Sequence, residues 1–238
     1  MKRFYKQVSV EGQEGQWQIL LDGRAVKTAG GRRQVLPTQA MADALAHEWA
    51  EQGENIDPGR FVLRDLADYT IDIVAPGRDT AILSVLPYAE TDTLCYRADE
   101  GEALHARQIE VWEPLLQAAE QRWDVHFVRV SGIVHHAQPE ATLARMAAVL
   151  AARDDATLAA LHTLASLAAS LVLALAAVEP HADAEALWQA ANLEEDWQAD
   201  LWGKDAEAQA RRARRFATFA AAMRFAALSS GSNAPGNP

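Results

Sequence analysis

The stretch Asn192–Gly203, which reads NLEEDWQADLWG, is the segment around which this chain is organised. Leu193, Trp197 and Leu201 recur every four residues, which is the spacing of side chains along one buried face of an α-helix. Gly203 stands where a helix commonly ends on a residue of left-handed conformation. The pattern predicts the last turns of a helix in which Leu193, Trp197 and Leu201 have structural roles.

A second row of side chains runs beside the predicted buried row. Glu194, Gln198 and Trp202 place a carboxylate, an amide and an indole there, and each can form directed hydrogen bonds next to an apolar surface. An ordinary amphipathic helix with an acidic outer face accounts for this pattern without any function. Large aromatic side chains next to charge also anchor binding surfaces, so a recognition surface is the alternative interpretation.

Length and composition exclude several classes of protein. The chain has 238 residues, enough for one or two domains, and half of them are hydrophobic. Its formal net charge of -11 argues against general binding to nucleic acid or to anionic lipid, both of which need a basic surface. Cys95 is the single cysteine, so no intrachain disulfide can form and a reducing compartment is expected.

Residues 1–88 have the pattern of a small β-rich domain that also contains helices. Asp22-Gly23 between two alternating segments predicts a β-hairpin. Thr38 can cap a helix that runs to about Gln52, and Trp49 is predicted to pack this helix onto the sheet. Val62–Val74 has helical spacing.

Residues 89–230 are predicted to form a mostly helical second domain, and residues 231–238 a disordered tail. The fold class expected from the whole chain is therefore α+β. The predicted helices are Glu102–Arg122, Pro139–Ala152, Ala156–Val178, Asp183–Trp202 and Asp205–Leu228, with one further strand at Val125–Val130.

The segment Thr157–Val178 contains no charged residue and is long enough to cross a bilayer. It is rich in alanine, however, and it contains His162, Thr163 and Ser166 without an aromatic belt. A helix that is apolar on all sides in a soluble protein is a buried core helix. We therefore expect a protein without a membrane anchor, while an anchor remains the alternative.

The chemistry of catalysis has little support in the sequence. The chain has no glycine-rich phosphate loop, no nucleophile elbow and no His-Glu-x-x-His metal motif, so neither a cofactor nor a metal nor a small-molecule substrate is expected. Glu194 and Glu195 could still act as a general acid and base, which leaves a small hydrolase as the alternative function. The arginines at positions 211, 212, 214 and 215 are expected to pair with Asp205 and Glu207 on a solvated helix face.

An ordered series of short motifs resembles one family, the ATP synthase assembly chaperones that act on the alpha subunit of the catalytic head (the Atp-twelve family). No single motif is specific, but their order is. The series consists of residues 3–6 (RFYK), 21–24 (LDGR), Lys27-Thr28, Glu48-Trp49 with Gln52, residues 91–97 (TDTLCYR), Gln108 with residues 112–115 (WEPL), residues 170–175 (SLVLAL), and residues 193–195 (LEE) with Trp197-Gln198 and Trp202-Gly203.

The resemblance implies a non-enzymatic chaperone that binds the unassembled alpha subunit until the beta subunit replaces it. It implies a bacterial, cytoplasmic member because the chain begins almost at the first motif, or a protein of the mitochondrial matrix if the chain is a processed eukaryotic member. Glu194, Glu195, Gln198 and Trp202 are then the expected partner-binding residues. Two positions depart from the family pattern: Ala29 replaces a usual proline, and Ala169 replaces a frequent glycine.

Overall fold

The computed structural model describes residues 1–132, 134–203 and 205–231. Within these residues the chain forms two compact units. The first contains Met1–Arg78, Asp154–Ala160 and the described residues from Ala221 onward, and the second contains Asp79–Arg153 and Leu161–Ala220. The α+β class with an N-terminal sheet and a mostly helical remainder is confirmed. The domain boundary between residues 88 and 89 stays a prediction, and most of the predicted disordered tail lies outside the described residues.

The sheet of the first unit is an antiparallel meander of three strands, β1 (Val8–Gln13), β2 (Gln16–Leu21) and β3 (Arg24–Ala25). The turn between β2 and β3 is the predicted hairpin. Asp22 and Gly23 both have positive φ, at 49° and 79°, the conformation that this sequence pair favours. The Asp22 carboxylate also accepts the backbone N–H of Gln7 at 2.8 Å, which ties the turn to the chain ahead of β1.

Helix α1 (Gln39–Ala50) begins where the sequence predicts it, because the Thr38 hydroxyl accepts the backbone N–H of Met41 at 3.1 Å. The helix contacts β1 and β2, but the ring contacts of Trp49 are with Tyr5 and Phe61, which lie outside the strands. Trp49 is therefore a buried core residue of this unit that joins an aromatic cluster, and its predicted role in packing α1 onto the sheet stays a prediction.

A side chain of α1 accepts hydrogen bonds from the start of the next helix. Both carboxylate oxygens of Glu48 accept backbone N–H groups at the start of α2 (Val62–Tyr69), from Leu63 at 2.7 Å and from Arg64 at 2.9 Å. Burial raises the pKa of Glu48, and these two hydrogen bonds oppose the rise. The predicted helix Val62–Val74 is confirmed in extent, because a π-helical turn at Thr70–Val74 continues α2.

The remaining α-helices and β-strands of the described residues follow in chain order. They are α3 (Arg78–Val85), α4 (Pro87–Glu90), β4 (Tyr96–Arg97), α5 (Ala103–Trp123), β5 (Val130–Ser131), α6 (Glu140–Ala151), α7 (Asp155–Ala168), α8 (Leu171–Ala177), α9 (Ala184–Ala191), α10 (Leu193–Trp202) and α11 (Ala206–Ser229). The predicted strand Val125–Val130 is wrong except at its end, since only β5 pairs, in parallel, with β4. No helix of the described chain is both long enough and apolar enough to cross a bilayer.

The predicted single helix Ala156–Val178 is in fact two helices, α7 and α8, separated at Ala169 and Ser170. Ser170 caps α8 by accepting the N–H of Leu173 at 3.0 Å. The buried Asp92 carboxylate accepts a second N–H of the same helix, from Val172 at 3.0 Å, and burial raises its pKa to about 6. Periodicity missed the break because both segments are apolar on all sides.

Ala169, which joins the two helices, has a φ of +49°, a conformation that L-residues other than glycine adopt at a cost. Replacing Ala169 with glycine should raise the free energy of unfolding by about 1 kcal/mol and the melting temperature by about 2–4 °C. Ala176→Gly, inside α8, is the matched control and should lower stability by about 1 kcal/mol instead. Thermal unfolding of both variants checks this, and an Ala169→Gly protein no more stable than wild type would contradict it.

Candidate functional site

The stretch NLEEDWQADLWG forms a helix of its own. The predicted helix Asp183–Trp202 is interrupted at Asn192, where α9 ends and α10 begins. Asn192 is buried, and its side-chain amide donates to the backbone carbonyl of Trp188 at 2.7 Å. Gly203 ends α10 with a φ of +96°, a value that favours glycine. Its ψ of 161° is extended, however, and is not that of a left-handed helical cap.

The predicted buried row of α10 is correct only at its start. Leu193 is 7% exposed, Trp197 is half-buried and Leu201 is 61% exposed, so the structural role assigned to Leu201 as a buried residue is wrong. A regular row shows which side chains share a helix face, but not how far neighbouring helices extend along it. Trp202 is 82% exposed. The end of α10 therefore presents two adjacent apolar side chains to solvent.

Glu194 is fixed by a hydrogen-bonded relay that begins in the protein interior. The backbone N–H of Ala98 donates to Oε1 of the buried Gln108 at 2.8 Å, so the amide nitrogen of Gln108 must face the other way. That nitrogen donates to Oε1 of Glu194 at 2.7 Å. Burial raises the pKa of Glu194, and the hydrogen bond from Gln108 opposes the rise. The relay orients Glu194, whereas Glu195 has no such contact among the described residues, and both side chains are exposed to solvent.

An open groove of about 1380 Å³ lies within the second unit, and α10 forms part of its wall. Three of the four predicted partner-binding residues line it, namely Glu194, Glu195 and Gln198, whereas Trp202 does not. Trp188 of α9 and Phe216 of α11 also line the groove, and their ring centroids are 6.1 Å apart. The groove thus combines aromatic surface with polar walls.

Charge in the groove is mostly negative. Its described lining includes seven carboxylates and four arginines. Three of the arginines are already engaged: Arg97 pairs with Glu113 at 2.6 Å, Arg212 donates to Asp196 at 2.7 Å, and Arg215 donates to the carbonyl of Leu167 at 3.0 Å. The carboxylates without an ion-pair partner among the described residues include Asp99, Glu102, Glu185, Glu194 and Glu195.

The predicted pairing of the arginine cluster with Asp205 and Glu207 is not the arrangement found. Arg212 contacts Asp196 of α10 instead, and the guanidinium of Arg215 lies 5.7 Å from the centre of the Trp188 ring. Asp205 accepts the backbone N–H of Ala208 and so caps α11. The prediction assumed pairs spaced i,i+4 within α11, whereas Arg212 pairs with a residue of α10 and Arg215 donates to a residue of α7.

The alternative function, a small hydrolase, would require a base that converges on Glu194, and no described histidine lies there. No histidine lies among the described residues of the groove lining, and no group of histidine, cysteine and acidic side chains in the described chain could hold a metal ion. The pKa of Glu194 is raised, but its hydrogen-bonding partner is a neutral amide of the protein interior. The hydrogen bond from Gln108 orients the Glu194 carboxylate.

Sequence reasoning missed the part of the groove that α9 and α11 contribute. Trp188 and Phe216 are 28 residues apart, and no local spacing connects them. Gln108 was a motif residue of the resemblance, but its buried position under Glu194 could not be read from the sequence. One local signal could have indicated partners elsewhere in the fold, namely the excess of arginines over nearby acids in α11.

Comparison with known proteins agrees with the fold and the motifs. The family described as ATP12 chaperone protein matches residues 2–120. The mitochondrial protein atp12 of Schizosaccharomyces pombe is 25% identical over 214 residues, which are 85% of this chain and 74% of that protein. Among solved structures, Atp12 from Paracoccus denitrificans has a TM-score of 0.88 at 36% identity, covering 96% of this chain and 98% of that one. The Atu1473 protein of Agrobacterium tumefaciens has a TM-score of 0.90 at 39% identity, covering 95% and 85%.

The family match spans half of the sequence, and the structural match spans nearly all of it at more than a third identity. The motifs that carry the resemblance run in the same order along this chain. The chain therefore belongs to the ATP12 family of chaperones, which acts in ATP synthase assembly.

Proposed function

We propose that this chain is a non-enzymatic chaperone that binds the unassembled alpha subunit of the F-type ATP synthase catalytic head. It covers the subunit interface of alpha until the beta subunit replaces it. The observation that carries the proposal is the groove, because its wall contains the same acidic and amide side chains of α10 that belong to the family-like motif. A member of the ATP12 family with such a groove has a surface suited to holding another protein.

Physical chemistry explains why such a holder is needed and why it should be partly polar. An unassembled subunit of an obligate ring exposes a large apolar interface, which is an aggregation hazard. A chaperone must cover that surface and later release it, which favours an interface of moderate affinity with polar and charged contacts. The bacterial cytoplasm is the proposed compartment, with the mitochondrial matrix as the equivalent location for a eukaryotic member.

The paired substitutions Glu194→Lys and Glu195→Lys test the proposed site. Glu195 is exposed, so Glu195→Lys should change the free energy of unfolding by no more than about 0.5 kcal/mol. If its carboxylate meets basic or amide groups of the alpha subunit, the association free energy should fall by roughly 2–5 kcal/mol. Glu194→Lys should also weaken binding, but it should lower stability by about 1–3 kcal/mol because Gln108 loses its acceptor.

The measurements are thermal unfolding of each variant and retention of alpha subunit by each immobilised protein. Glu11→Lys is the matched control, since Glu11 is an exposed residue of β1 and does not line the groove. Wild type and the control should retain alpha subunit, and Glu195→Lys should not. Folded Glu194→Lys and Glu195→Lys proteins that both bind like wild type would remove the site assignment.

A further inference from the structure

The groove has three properties that together indicate what kind of segment it can hold. Its described lining has more carboxylates than arginines, and three of the four arginines are already engaged within the protein. The exception, Arg211, is exposed at the groove. Opposite charges attract most strongly where the walls of a cleft exclude part of the solvent. A bound segment with positive charge is therefore favoured over a neutral or acidic one.

The second property is apolar surface between the charged walls. Leu104 at the start of α5 lines the groove together with Trp188 and Phe216. Trp188 is only 4% exposed and packs on the buried Phe219, with ring centroids 5.4 Å apart, so it forms a fixed support for the partly exposed Phe216. Fixed aromatic surface favours an apolar side chain on the bound segment, because contact with it removes apolar area from water without ordering the groove.

The third property is preorganisation of hydrogen-bonding groups. The relay from Ala98 through Gln108 fixes one oxygen of Glu194 in place before any partner arrives. The Nε–H of the buried Arg97, which also lines the groove, has no acceptor among the described residues. That nitrogen is covered by the protein itself, so the group oriented in advance for a bound segment is the Glu194 carboxylate, which can accept the N–H groups of a lysine, an arginine or a peptide backbone.

We propose that the groove holds a segment of the alpha subunit in which a lysine or arginine lies next to an apolar side chain. This inference rests on the proposed function and specifies which chemistry of the partner the groove recognises. Glu102, the residue just before α5, and Glu185 of α9 then act together with the glutamates of α10. The carboxylates that attract the cation therefore come from three separate parts of the chain.

Charge reversal at groove residues outside α10 tests whether the groove, and not the general charge of the surface, recognises the partner. The double variant Glu102→Lys/Glu185→Lys should raise the Kd for purified alpha subunit at least about tenfold at low salt, with a smaller effect at high salt. Glu11→Lys/Asp43→Lys changes the net charge equally at exposed positions that do not line the groove, and it should shift the Kd by less than about threefold. Equal effects of the two double variants would show a general charge effect and would overturn the groove as the recognition site.

Photo-crosslinking identifies the occupant directly. We would place the photoreactive residue benzoylphenylalanine at Gln209, in the groove lining, and in a matched protein at Gln121, an exposed residue of α5 outside it. The expected result is a crosslink to alpha subunit from position 209 only, in a peptide that contains lysine or arginine beside an apolar residue. Binding of alpha subunit with crosslinks from position 121 alone, or to a segment without a basic residue, would overturn the inference. Failure of the unmodified chain to bind alpha subunit would remove the proposed function itself and this inference with it.

Discussion

An arginine in place of Trp49 is expected to lower the free energy of unfolding by at least about 3–5 kcal/mol. The melting temperature should fall by roughly 10 °C or more in a chain of this size. Trp49 is 7% exposed, and its ring packs on Phe61 at 4.5 Å and on Tyr5 at 5.5 Å between centroids. Substitution removes this aromatic packing and places a charge in a buried position.

The new charge would also face an existing one. The guanidinium of Arg64 lies 5.8 Å from the centre of the Trp49 ring, so an arginine at position 49 would bring two like charges together. Trp202→Arg is the matched control, because Trp202 is 82% exposed and the same substitution there should change stability by no more than about 0.5 kcal/mol. Thermal unfolding distinguishes the two. A Trp49→Arg protein that melts within about 2 °C of wild type would show that this ring does not support the fold.

Replacing Arg129 with methionine is the second substitution with a large expected effect, a loss of about 3 kcal/mol of stability at neutral pH. Arg129 donates to Glu113 at 2.8 Å, to Glu120 at 3.0 Å and to the carbonyl of Phe127 at 2.6 Å. Its side chain is 22% exposed, and those of the two glutamates are similarly covered. Methionine would remove the guanidinium from both glutamates, leaving Glu120 with His126 at 3.2 Å and Glu113 with Arg97 at 2.6 Å.

The pH dependence of stability provides an independent test of this network. Burial by itself raises the pKa of Glu113, but hydrogen bonds from Arg129 and Arg97 outweigh it and hold the pKa at about 2, below the ordinary value of 4.5. The unfolded chain therefore binds more protons between these values, so the contribution of Glu113 is present above pH 4.5 and is lost as the pH falls towards 2. The stability difference between wild type and Arg129→Met should shrink over that range.

A control on the same region separates this network from ordinary surface pairs. Arg107 pairs with Glu110 at 2.6 Å, but the two side chains are 51% and 69% exposed. Arg107→Met should therefore cost no more than about 1 kcal/mol. Chemical denaturation at pH 7 and at pH 3 measures both variants. Arg129→Met and Arg107→Met proteins of equal stability would contradict a structural role for the Arg129 network.

Features set by neighbouring residues could be predicted from the sequence. The Asp22-Gly23 hairpin and the Thr38 cap of α1 each depend on a few consecutive residues, and both are found. The apolar character of Thr157–Val178 correctly indicated a buried region. The hairpin and the helix cap share one property: the determining interactions lie within one or two turns of the chain.

Features set by distant partners could not be predicted in the same way. The break at Ala169 is held by Thr93, whose backbone N–H and hydroxyl both donate to the Ala169 carbonyl, at 3.0 and 2.8 Å. Leu201 looked buried because its row is regular, but it is 61% exposed among the described residues. The groove depends on Gln108 lying beneath Glu194. Each of these facts is a property of tertiary packing, which spacing along one helix does not contain.

Co-expression with the alpha subunit, followed by size-exclusion chromatography, tests directly whether this chain holds the unassembled alpha subunit until the beta subunit replaces it. We expect a soluble one-to-one complex that dissociates when purified beta subunit is added, with this chain released in free form. Alpha subunit that stays insoluble beside a folded chaperone, or a complex that beta subunit leaves intact, would contradict it.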